Sequence, residues 1–292
     1  MIQLPVSRMT DLPSLVAEHQ AAILGTALIG TLLAVVCWEA LAPRRTEAAG
    51  QGYRWAINIT LALTTQAIGR VGAAGLAVLL AGWGIDESLG LLSVLEVGFW
   101  PALILTLVTL ELLAYILHRI FHRVPALWRL HAVHHCDTGV DFSTAFRHHP
   151  IEVVIVMAVN ALAIVALGPP VAAVVLHQAL AITVNMASHG NVALPEGFER
   201  WLRYVVVTPD FHRLHHCSDR RFTDSNYSIA LPWFDYLLGT ATRRPFAEQR
   251  TMELGLEDYR TPADSRVVRL LLMPFRRRRT GGTDRPPART AA

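Results

Sequence analysis

Eight histidines fall in three closely spaced motifs, and their spacing is the strongest chemical signal in the sequence. The first motif, an HxxxH, contains His118 and His122. Because side chains three and four residues apart share one face of a helix, each motif is expected to direct its imidazoles to one side. The two motifs that follow are both HxxHH, formed by His131, His134 and His135 and by His212, His215 and His216.

Imidazole clusters of this kind predict a metal site, since neutral imidazole binds iron, zinc and copper. The chain has 13 histidines among 292 residues, so the chance expectation for one HxxHH anywhere in it is about 0.03, and two are far rarer. Eight imidazoles exceed the four ligands of a tetrahedral zinc and suit two metal ions of higher coordination number. The Glu-x-x-His motif of soluble di-iron bundles is absent from the sequence.

The composition indicates that membrane helices carry these motifs. Hydrophobic residues make up 52% of the chain and charged residues only 17%, and the mean hydropathy is +0.36. These values are typical of a membrane protein. The net charge is +3, and the basic residues, all of them arginines, form no stripe interleaved with aromatic residues. Nucleic-acid binding is therefore not expected.

Five segments are apolar and long enough to cross a bilayer, which takes about 20 residues. Gly168-Pro169-Pro170 separates the last two and predicts a tight turn within a helical hairpin. Arg70 lies near the middle of the second segment, so it is expected to face a protein interior or to mark a broken helix. The predicted spans are 21–42, 55–83, 97–117, 151–167 and 171–188.

The distribution of arginines predicts the orientation in the membrane. The loop after the first span contains Arg44, Arg45 and Arg54, whereas the loop after the second span is acidic and has no basic residue. By the positive-inside rule, the first loop and the C-terminus are expected to be cytoplasmic, as in a multi-pass protein of a bacterial inner membrane. His118 and all later histidines except His177 then lie at or beyond the cytoplasmic face.

The motifs resemble those of the fatty acid hydroxylase (sterol desaturase) superfamily over residues 97–240. The likeness extends past the histidine motifs to other short segments in matching order. Ser228 is a departure, since the family usually has glycine at that position. The additional matching segments are 144–152, 189–191, 207–209, 224–227 and 233–240.

This resemblance implies a ligand set. The eight motif histidines would be ligands of a di-iron centre, and His189 would be a ninth. Asn185 occupies a position where some members have a further histidine, which leaves a tenth ligand open. His149 is either a ligand or a group behind the ligands. Asp224 and Asn226 either accept a hydrogen bond from the second N–H of a ligand imidazole or form a local turn.

Together these features predict an all-α fold, in which a polytopic bundle of membrane helices bears a cytoplasmic, histidine-rich helical cap that holds a di-metal site. The expected division is N-terminal membrane helices at 1–96, a catalytic domain at 97–245 and a partly disordered cytoplasmic tail at 246–292. Arg147 and Glu152 are predicted to pair, either beneath the site or at the surface. Glu111 is a weaker functional candidate in the third span, and His177 is predicted to be a packing residue.

The activity implied by the resemblance is O2-dependent hydroxylation or desaturation of a C–H bond in a membrane lipid, such as a fatty acyl, alkyl or sterol-like substrate. Two iron ions would be the cofactor and O2 the co-substrate. The expected electron donor is a ferredoxin, a cytochrome b5-like protein or a flavin reductase, because the chain has no nucleotide-binding fingerprint and no CxxCH haem motif. The alternatives are a histidine-rich membrane protein that binds or transports metal, and a zinc hydrolase.

Overall fold

The computed structural model describes residues 11–46, 50–82 and 90–276, and within 73–82 it describes the backbone only. The regular structure of these residues is helical, apart from isolated bridges between Pro43 and Val192 and between Cys217 and Leu254. This confirms the predicted all-α fold. The α-helices are α1 (Leu12–Glu18), α2 (Gln20–Leu41), α3 (Gln51–Gly82), α4 (Leu91–Val94), α5 (Phe99–Arg123), α6 (Pro125–His135), α7 (Pro150–Leu167), α8 (Val171–His189), α9 (Glu196–Leu202), α10 (Pro209–His215), α11 (Arg220–Thr223), α12 (Trp233–Leu237) and α13 (Val267–Leu272).

Four helices in the described part of the chain, α2, α5, α7 and α8, are long and apolar enough to cross a membrane. They confirm the first, third, fourth and fifth predicted spans, and the chain is a membrane protein. Large apolar side chains such as Leu33 and Leu162 are exposed on these helices, as expected for surfaces in contact with lipid. The second predicted span, 55–83, falls on α3, and its part beyond residue 72 lies outside the described side chains.

The expectation for Arg70 is wrong. Helix α3 continues unbroken past this residue, and the Arg70 side chain is exposed. The packed face of α3 carries Leu61 and Thr65, which are buried. Arg70 follows Leu61 by nine residues, about 2.5 turns at 3.6 residues per turn, so it projects from the opposite face. A long apolar stem lets such a guanidinium extend along the helix toward more polar surroundings.

The turn between α7 and α8 confirms the predicted hairpin. Gly168 ends α7 with φ of 61°, in the left-handed region that glycine adopts without steric cost. Its backbone packs directly on Gly90, and a Cβ atom at either position would overlap the backbone of the other. The Ser93 hydroxyl donates a hydrogen bond to the Gly168 carbonyl at 3.0 Å. The segment before α5 is thereby fixed to the tip of the hairpin.

Helix α8 lies at the centre of the bundle, where it contacts α1, α2, α5 and α10. Its N-terminal part buries Ala172, Ala173 and Val175. Small side chains allow membrane helices to approach closely. Because α8 ends at His189, this central helix leads directly to the histidine motifs.

A cap of short helices covers the ends of α5 and α8, and its apolar core joins α3, α6 and α13. The described part of the predicted tail, 246–276, contributes to this core, whereas residues 277–292 lie outside the description. The division at 96 and 245 stays a prediction. The core residues are Ile57, Leu61, Ala132, Val133, Cys136, Leu270 and Met273.

Candidate metal centre

Helix α5 brings its two motif histidines to a buried face. Buried positions on α5 recur at intervals of three and four residues and end with His118 and His122. A single residue separates α5 from α6, which begins at Pro125, a residue suited to the first turn of a helix. This short connection folds α6 back on α5, so that His131 Nε2 lies 3.0 Å from His118 Nε2.

The third motif lies on α10, a short helix that is fixed at its start and by a neighbouring loop. The Thr208 hydroxyl caps the helix by accepting from Phe211 N at 3.2 Å, and Pro209 occupies the first turn. Asn226 Nδ2 donates to Phe211 O at 2.9 Å, and Asn226 Oδ1 accepts from Thr242 N at 2.7 Å. The hydrogen bonds of the Asn226 side chain thus go to the backbone that supports α10, and not to an imidazole.

Among the described residues, the structure brings all nine histidines predicted as ligands into two buried groups, each able to hold a metal ion. Within each group the candidate ligand atoms lie within 4.8 Å of one another. The five-histidine group consists of His118, His122, His131, His135 and His215, and the four-histidine group consists of His134, His189, His212 and His216.

Each HxxHH motif contributes to both groups. On α6, His131 and His135 are four residues apart and join the five-histidine group, while His134 joins the other. The third motif has the reverse arrangement, in which His215 is the residue that crosses to the five-histidine group. The rings of His135 and His216 stack with centroids 4.6 Å apart. The two groups therefore adjoin, and both depend on the positions of α6 and α10.

Hydrogen bonds fix the tautomers of six of these histidines. A carbonyl or carboxylate oxygen can only accept, so each Nδ1 that faces one carries the proton, and Nε2 of the neutral ring is left as a bare lone pair. The donating Nδ1 atoms and their acceptors are His118 to Tyr227 O (2.6 Å), His122 to Asp224 Oδ1 (3.3 Å), His131 to Glu152 Oε1 (2.7 Å), His134 to Arg147 O (3.2 Å), His189 to Asn185 O (2.7 Å) and His215 to Ser225 O (2.7 Å).

These bare lone pairs face one another within each group. Nε2 of His118 lies 3.0 Å from Nε2 of His131, and Nε2 of His134 lies 3.2 Å from Nε2 of His189. Two facing lone pairs repel, whereas two imidazoles side by side on a cation, with bonds of about 2.0–2.1 Å, place their nitrogens about 3.0 Å apart. His215 Nε2 is also buried without a hydrogen-bond partner among the described residues. The donor set therefore fits a metal ion in each group.

Burial keeps these imidazoles in the neutral form that binds metal. Outside the spanning helices, desolvation lowers the pKa of His134, His135, His212 and His216 well below its ordinary value, and the neighbouring imidazoles lower it further. The same cause lowers the pKa of His215 to about 3. A metal ion therefore need not displace protons from these rings at neutral pH.

Glu152 is a carboxylate that lies behind the five-histidine group and supports one of its imidazoles. The sequence motifs did not predict this role. Glu152 Oε1 accepts hydrogen bonds from His131 Nδ1 at 2.7 Å and from His148 Nδ1 at 3.0 Å. The His148 ring in turn stacks on His134 with centroids 4.5 Å apart. A carboxylate in this position orients a ligating imidazole and raises its basicity. The four-residue spacing of His148 and Glu152 across the start of α7 was the available signal in the sequence.

The predicted pair of Arg147 and Glu152 is wrong, although both residues are buried. The Arg147 guanidinium donates instead to Val133 O and Asn58 Oδ1, each at 2.8 Å, and to Cys136 Sγ at 3.2 Å. Arg147 precedes the first turn of α7 and faces α3 and α6, whereas Glu152 lies on α7 and faces the histidines. The two side chains therefore have different hydrogen-bond partners.

A second buried carboxylate ties α3 to the end of α6. Asp137 Oδ2 accepts from Arg54 Nη1 at 2.7 Å, from Asn58 Nδ2 at 3.0 Å and from Thr144 Oγ1 at 2.8 Å. Burial alone would raise the pKa of Asp137, but the Arg54 and Arg147 guanidiniums and these hydrogen bonds lower it. Local spacing does not predict this contact, because Arg54 and Asn58 precede Asp137 by 83 and 79 residues.

Asp224 and His149, which were predicted as possible groups behind the ligands, have different surroundings. Asp224 Oδ1 lies 3.3 Å from His122 Nδ1 and so contacts the five-histidine group. His149 lies outside both groups. Its Nδ1 accepts from Ile151 N at 3.1 Å, which caps α7, and its Nε2 donates to Leu271 O at 3.2 Å. Both ring nitrogens of His149 therefore have protein partners.

The intramembrane pair of Glu111 and His177 lies apart from both groups. His177 Nε2 donates to Glu111 Oε1 at 3.1 Å, which agrees with the packing role predicted for this histidine. Glu111 Oε2 accepts from Ala230 N at 3.2 Å and from Leu231 N at 2.9 Å. Glu111 thus links α5 and α8 to the segment before α12, and its contacts are structural.

Comparisons with known proteins agree with this architecture. The model of the fatty acid hydroxylase family matches residues 103–240. Ornithine lipid hydroxylase OlsE of Rhizobium tropici is 30% identical over 154 residues, which cover 50% of this chain and 46% of the relative. Very-long-chain aldehyde decarbonylase GL1-5 of Oryza sativa subsp. indica is 28% identical over 166 residues, which cover 54% of this chain and 24% of the relative. No solved structure matches the chain significantly.

The chain thus spans less than half the length of these curated relatives. The matched segment, 103–240, contains both histidine groups and the two carboxylates behind them, Glu152 and Asp224. The similarity therefore falls on the helices and loops that build the candidate metal centre. This part of the chain, 103–240, thus matches the fatty acid hydroxylase family.

Proposed function

We propose that the protein is an oxidoreductase that uses two iron ions and O2 to hydroxylate a C–H bond in the apolar chain of a membrane lipid. The observation that carries this proposal is the pair of adjoining, buried histidine groups beside the ends of membrane helices α5 and α8. The converging lone pairs of five and four imidazoles suit two metal ions. A zinc hydrolase with one ion would need only about four ligands in total.

The nine histidines are the proposed ligands, five for one ion and four for the other. Iron bound there would supply the redox and O2 chemistry that amino-acid side chains lack. The protein residues position and protect this chemistry. Glu152 and Asp224 hold the His131 and His122 rings by accepting their Nδ1 protons in hydrogen bonds. The burial of all nine histidines limits the access of water.

A lipid substrate is supported by the position of the site and by the relatives. The spanning helices α5 and α8 both end in histidines of the two groups, so an apolar chain in the bilayer would lie beside them. The name of OlsE describes hydroxylation of a lipid, and the name of the rice relative describes a very-long-chain aldehyde. The first of these favours hydroxylation over desaturation for the present chain.

The basic loop supports a cytoplasmic site in a bacterial inner membrane. Arg44 Nε lies 3.2 Å from Asp210 Oδ1, and Arg54 Nη1 lies 2.7 Å from Asp137 Oδ2. The arginines that define the positive loop are thus part of the cap that holds the histidines, and the positive-inside rule applies to both together. Electrons for the reaction would then come from a cytoplasmic ferredoxin, cytochrome b5-like protein or flavin reductase.

A metal transporter is not favoured. Its ligands would follow a path across the membrane, whereas these histidines lie at one end of the spanning helices. His177, within a span, is engaged by Glu111 instead.

The test combines metal analysis with lipid analysis of the full-length protein. We expect close to two iron ions per chain after anaerobic purification, and a lipid that gains one oxygen atom in cells that produce the protein. His134→Ala and His215→Ala, one from each group, should abolish the oxygenated lipid and lower the metal content.

The matched control is His149→Asn, which keeps a capping side chain on α7 and leaves both groups intact. It should retain the metal and the product. Full activity with zinc alone, or an oxygenated lipid that persists in both alanine variants, would contradict the proposal.

A further inference from the structure

A second candidate binding site lies away from the histidines, between α9 and the segment that follows α12. It is an open cavity of about 300 Å³. None of the nine histidines lines it. Four guanidinium groups and two carboxylates do, which leaves a net charge of +2 among its charged residues. These residues are Arg200, Arg203, Arg243, Arg244, Glu196 and Glu199.

Arg203 is the buried arginine of this set, with only 4% of its surface exposed. Its Nη1 lies 3.7 Å from Glu199 Oε2, and its guanidinium lies over the Phe211 ring, 5.3 Å from the centroid. The Nε and Nη2 atoms of Arg203 have no hydrogen-bond partner among the described residues. Glu199 is shared, since its Oε1 accepts from the Thr208 hydroxyl at 2.8 Å. Buried donors without acceptors are costly, so an external acceptor would stabilise this arrangement.

The arginines at the mouth of the cavity favour a phosphate as that acceptor. Arg243 donates to the Tyr204 hydroxyl, and Arg244 Nε donates to Glu248 Oε2 at 2.8 Å. These bonds hold the two side chains in place, and each guanidinium has further N–H groups to offer. The planar guanidinium matches the spacing of phosphate oxygens and binds them in pairs.

The surroundings of the cavity indicate the membrane interface. Phe198, Trp201 and Tyr204 are exposed along α9 and just after it, with 79% of Trp201 accessible. Tryptophan and tyrosine concentrate where the bilayer meets water. The Arg243 guanidinium lies over the Tyr204 ring, 5.2 Å from the centroid, which connects this aromatic surface to the cavity. A basic cavity beside exposed aromatic rings suits a lipid headgroup better than a soluble anion.

We infer that this cavity binds the phosphate of a lipid headgroup at the membrane interface. The inference goes beyond the proposed hydroxylation, because it rests on the arginines and aromatic residues and requires no metal. The bound lipid would place its headgroup against Arg203, Arg243 and Arg244 while its chains remain in the bilayer.

The experiment measures binding to the purified full-length protein in detergent, without reductant, so that turnover does not contribute. Isothermal titration compares three probes: dihexanoyl phosphatidic acid, dihexanoylglycerol and inorganic phosphate. We expect saturable binding of the phosphatidic acid, weaker binding of inorganic phosphate and no saturable binding of dihexanoylglycerol. Equal affinity for dihexanoylglycerol would show that apolar contact alone is responsible, and equal affinity for inorganic phosphate would show a site for soluble anions. Either result would overturn the inference.

Variants locate the binding in this cavity. Because Arg203 is buried, Arg203→Gln can also impair folding, so the deciding variant is the double substitution Arg243→Gln and Arg244→Gln nearer the surface. Loss of charge-assisted hydrogen bonds should weaken phosphatidic acid binding about tenfold or more. The control Arg221→Gln removes an arginine whose side chain is 82% exposed and paired with Asp219 outside the cavity. Unchanged affinity in the double variant, or an equal loss in the control, would refute the assignment.

Discussion

Replacing Glu152 by glutamine tests how strongly the proposed ligands depend on the residues behind them. His131 and His148 both donate to Glu152 Oε1, at 2.7 and 3.0 Å. A glutamine oxygen can still accept, but the negative charge is lost. Because Glu152 is buried, water cannot readily replace it. The perturbation should therefore act on His131, a member of the five-histidine group, and leave the ligands of the four-histidine group in place.

The expected magnitude follows from the role of such partners. Loss of a group that orients a metal-binding histidine costs about 10–100-fold in metal affinity, which is about 1.4–2.7 kcal/mol. Asp224→Asn is the matched comparison in the same group. Asp224 lies farther from its imidazole, at 3.3 Å, and its side chain is 17% exposed, so water can partly substitute. We expect a smaller loss of affinity in Asp224→Asn than in Glu152→Gln.

The assay is a chelator titration of the metal-loaded protein, with metal content measured at each step. In Glu152→Gln, one metal ion should leave at a chelator concentration about tenfold or more below that needed for the wild-type protein. The second ion should leave at the wild-type concentration. The reasoning is refuted if Asp224→Asn loses metal as readily as Glu152→Gln, or if both variants release metal as the wild-type protein does.

Three further predictions concern stability and can be checked by thermal unfolding in detergent. Metal at about 100 times its Kd should raise the free energy of unfolding by about 2.7 kcal/mol, and a melting temperature unchanged by chelation would contradict this. Burial lowers the pKa of His215 to about 3 and also lowers that of His212, so the unfolded metal-free chain binds protons more readily than the folded one. Metal-free protein should be most stable above about pH 6.5 and lose stability steadily on acidification below it. Constant stability down to pH 4 would contradict the lowered pKa values of these histidines in the folded chain. Gly168→Ala should destabilise the hairpin, by at least about 1 kcal/mol from the left-handed backbone alone, because its Cβ would also meet Gly90; Gly197→Ala, with open space at its Cβ, is the control.

Much of the architecture could be predicted because it depends on local pattern. Apolar segments of sufficient length predicted five spans, four of which correspond to α2, α5, α7 and α8, and the Gly-Pro-Pro turn predicted the hairpin of α7 and α8. The spacing of His118 and His122 predicted a shared helix face, and both lie on the buried face of α5. Arg70 shows the limit of this reasoning: composition placed a charge in a span, but the face that a residue presents depends on which neighbours pack against the helix.

The division of the histidines into two groups could not be predicted from spacing. His134 and His135 are adjacent in the sequence, yet they belong to different groups. Their separation depends on how α6 lies against α10, which is a tertiary property. Arg147 illustrates the same point, since its acceptor Asn58 lies 89 residues away on α3. A pairing with nearby Glu152 was the simpler prediction from sequence and proved wrong.

The helices before the family segment do more than anchor the chain in the membrane. Glu39, at the end of α2, accepts from Phe142 N and from Asn191 N, each at 2.8 Å. These two amides belong to the turn before α7 and to the loop that follows His189, so one carboxylate fixes both. Phe142 and Asn191 are buried, and their backbone amides would lack a hydrogen-bond acceptor without Glu39. The four-histidine group therefore depends on a residue outside the matched segment 103–240, and the N-terminal membrane helices are part of the scaffold of the proposed site.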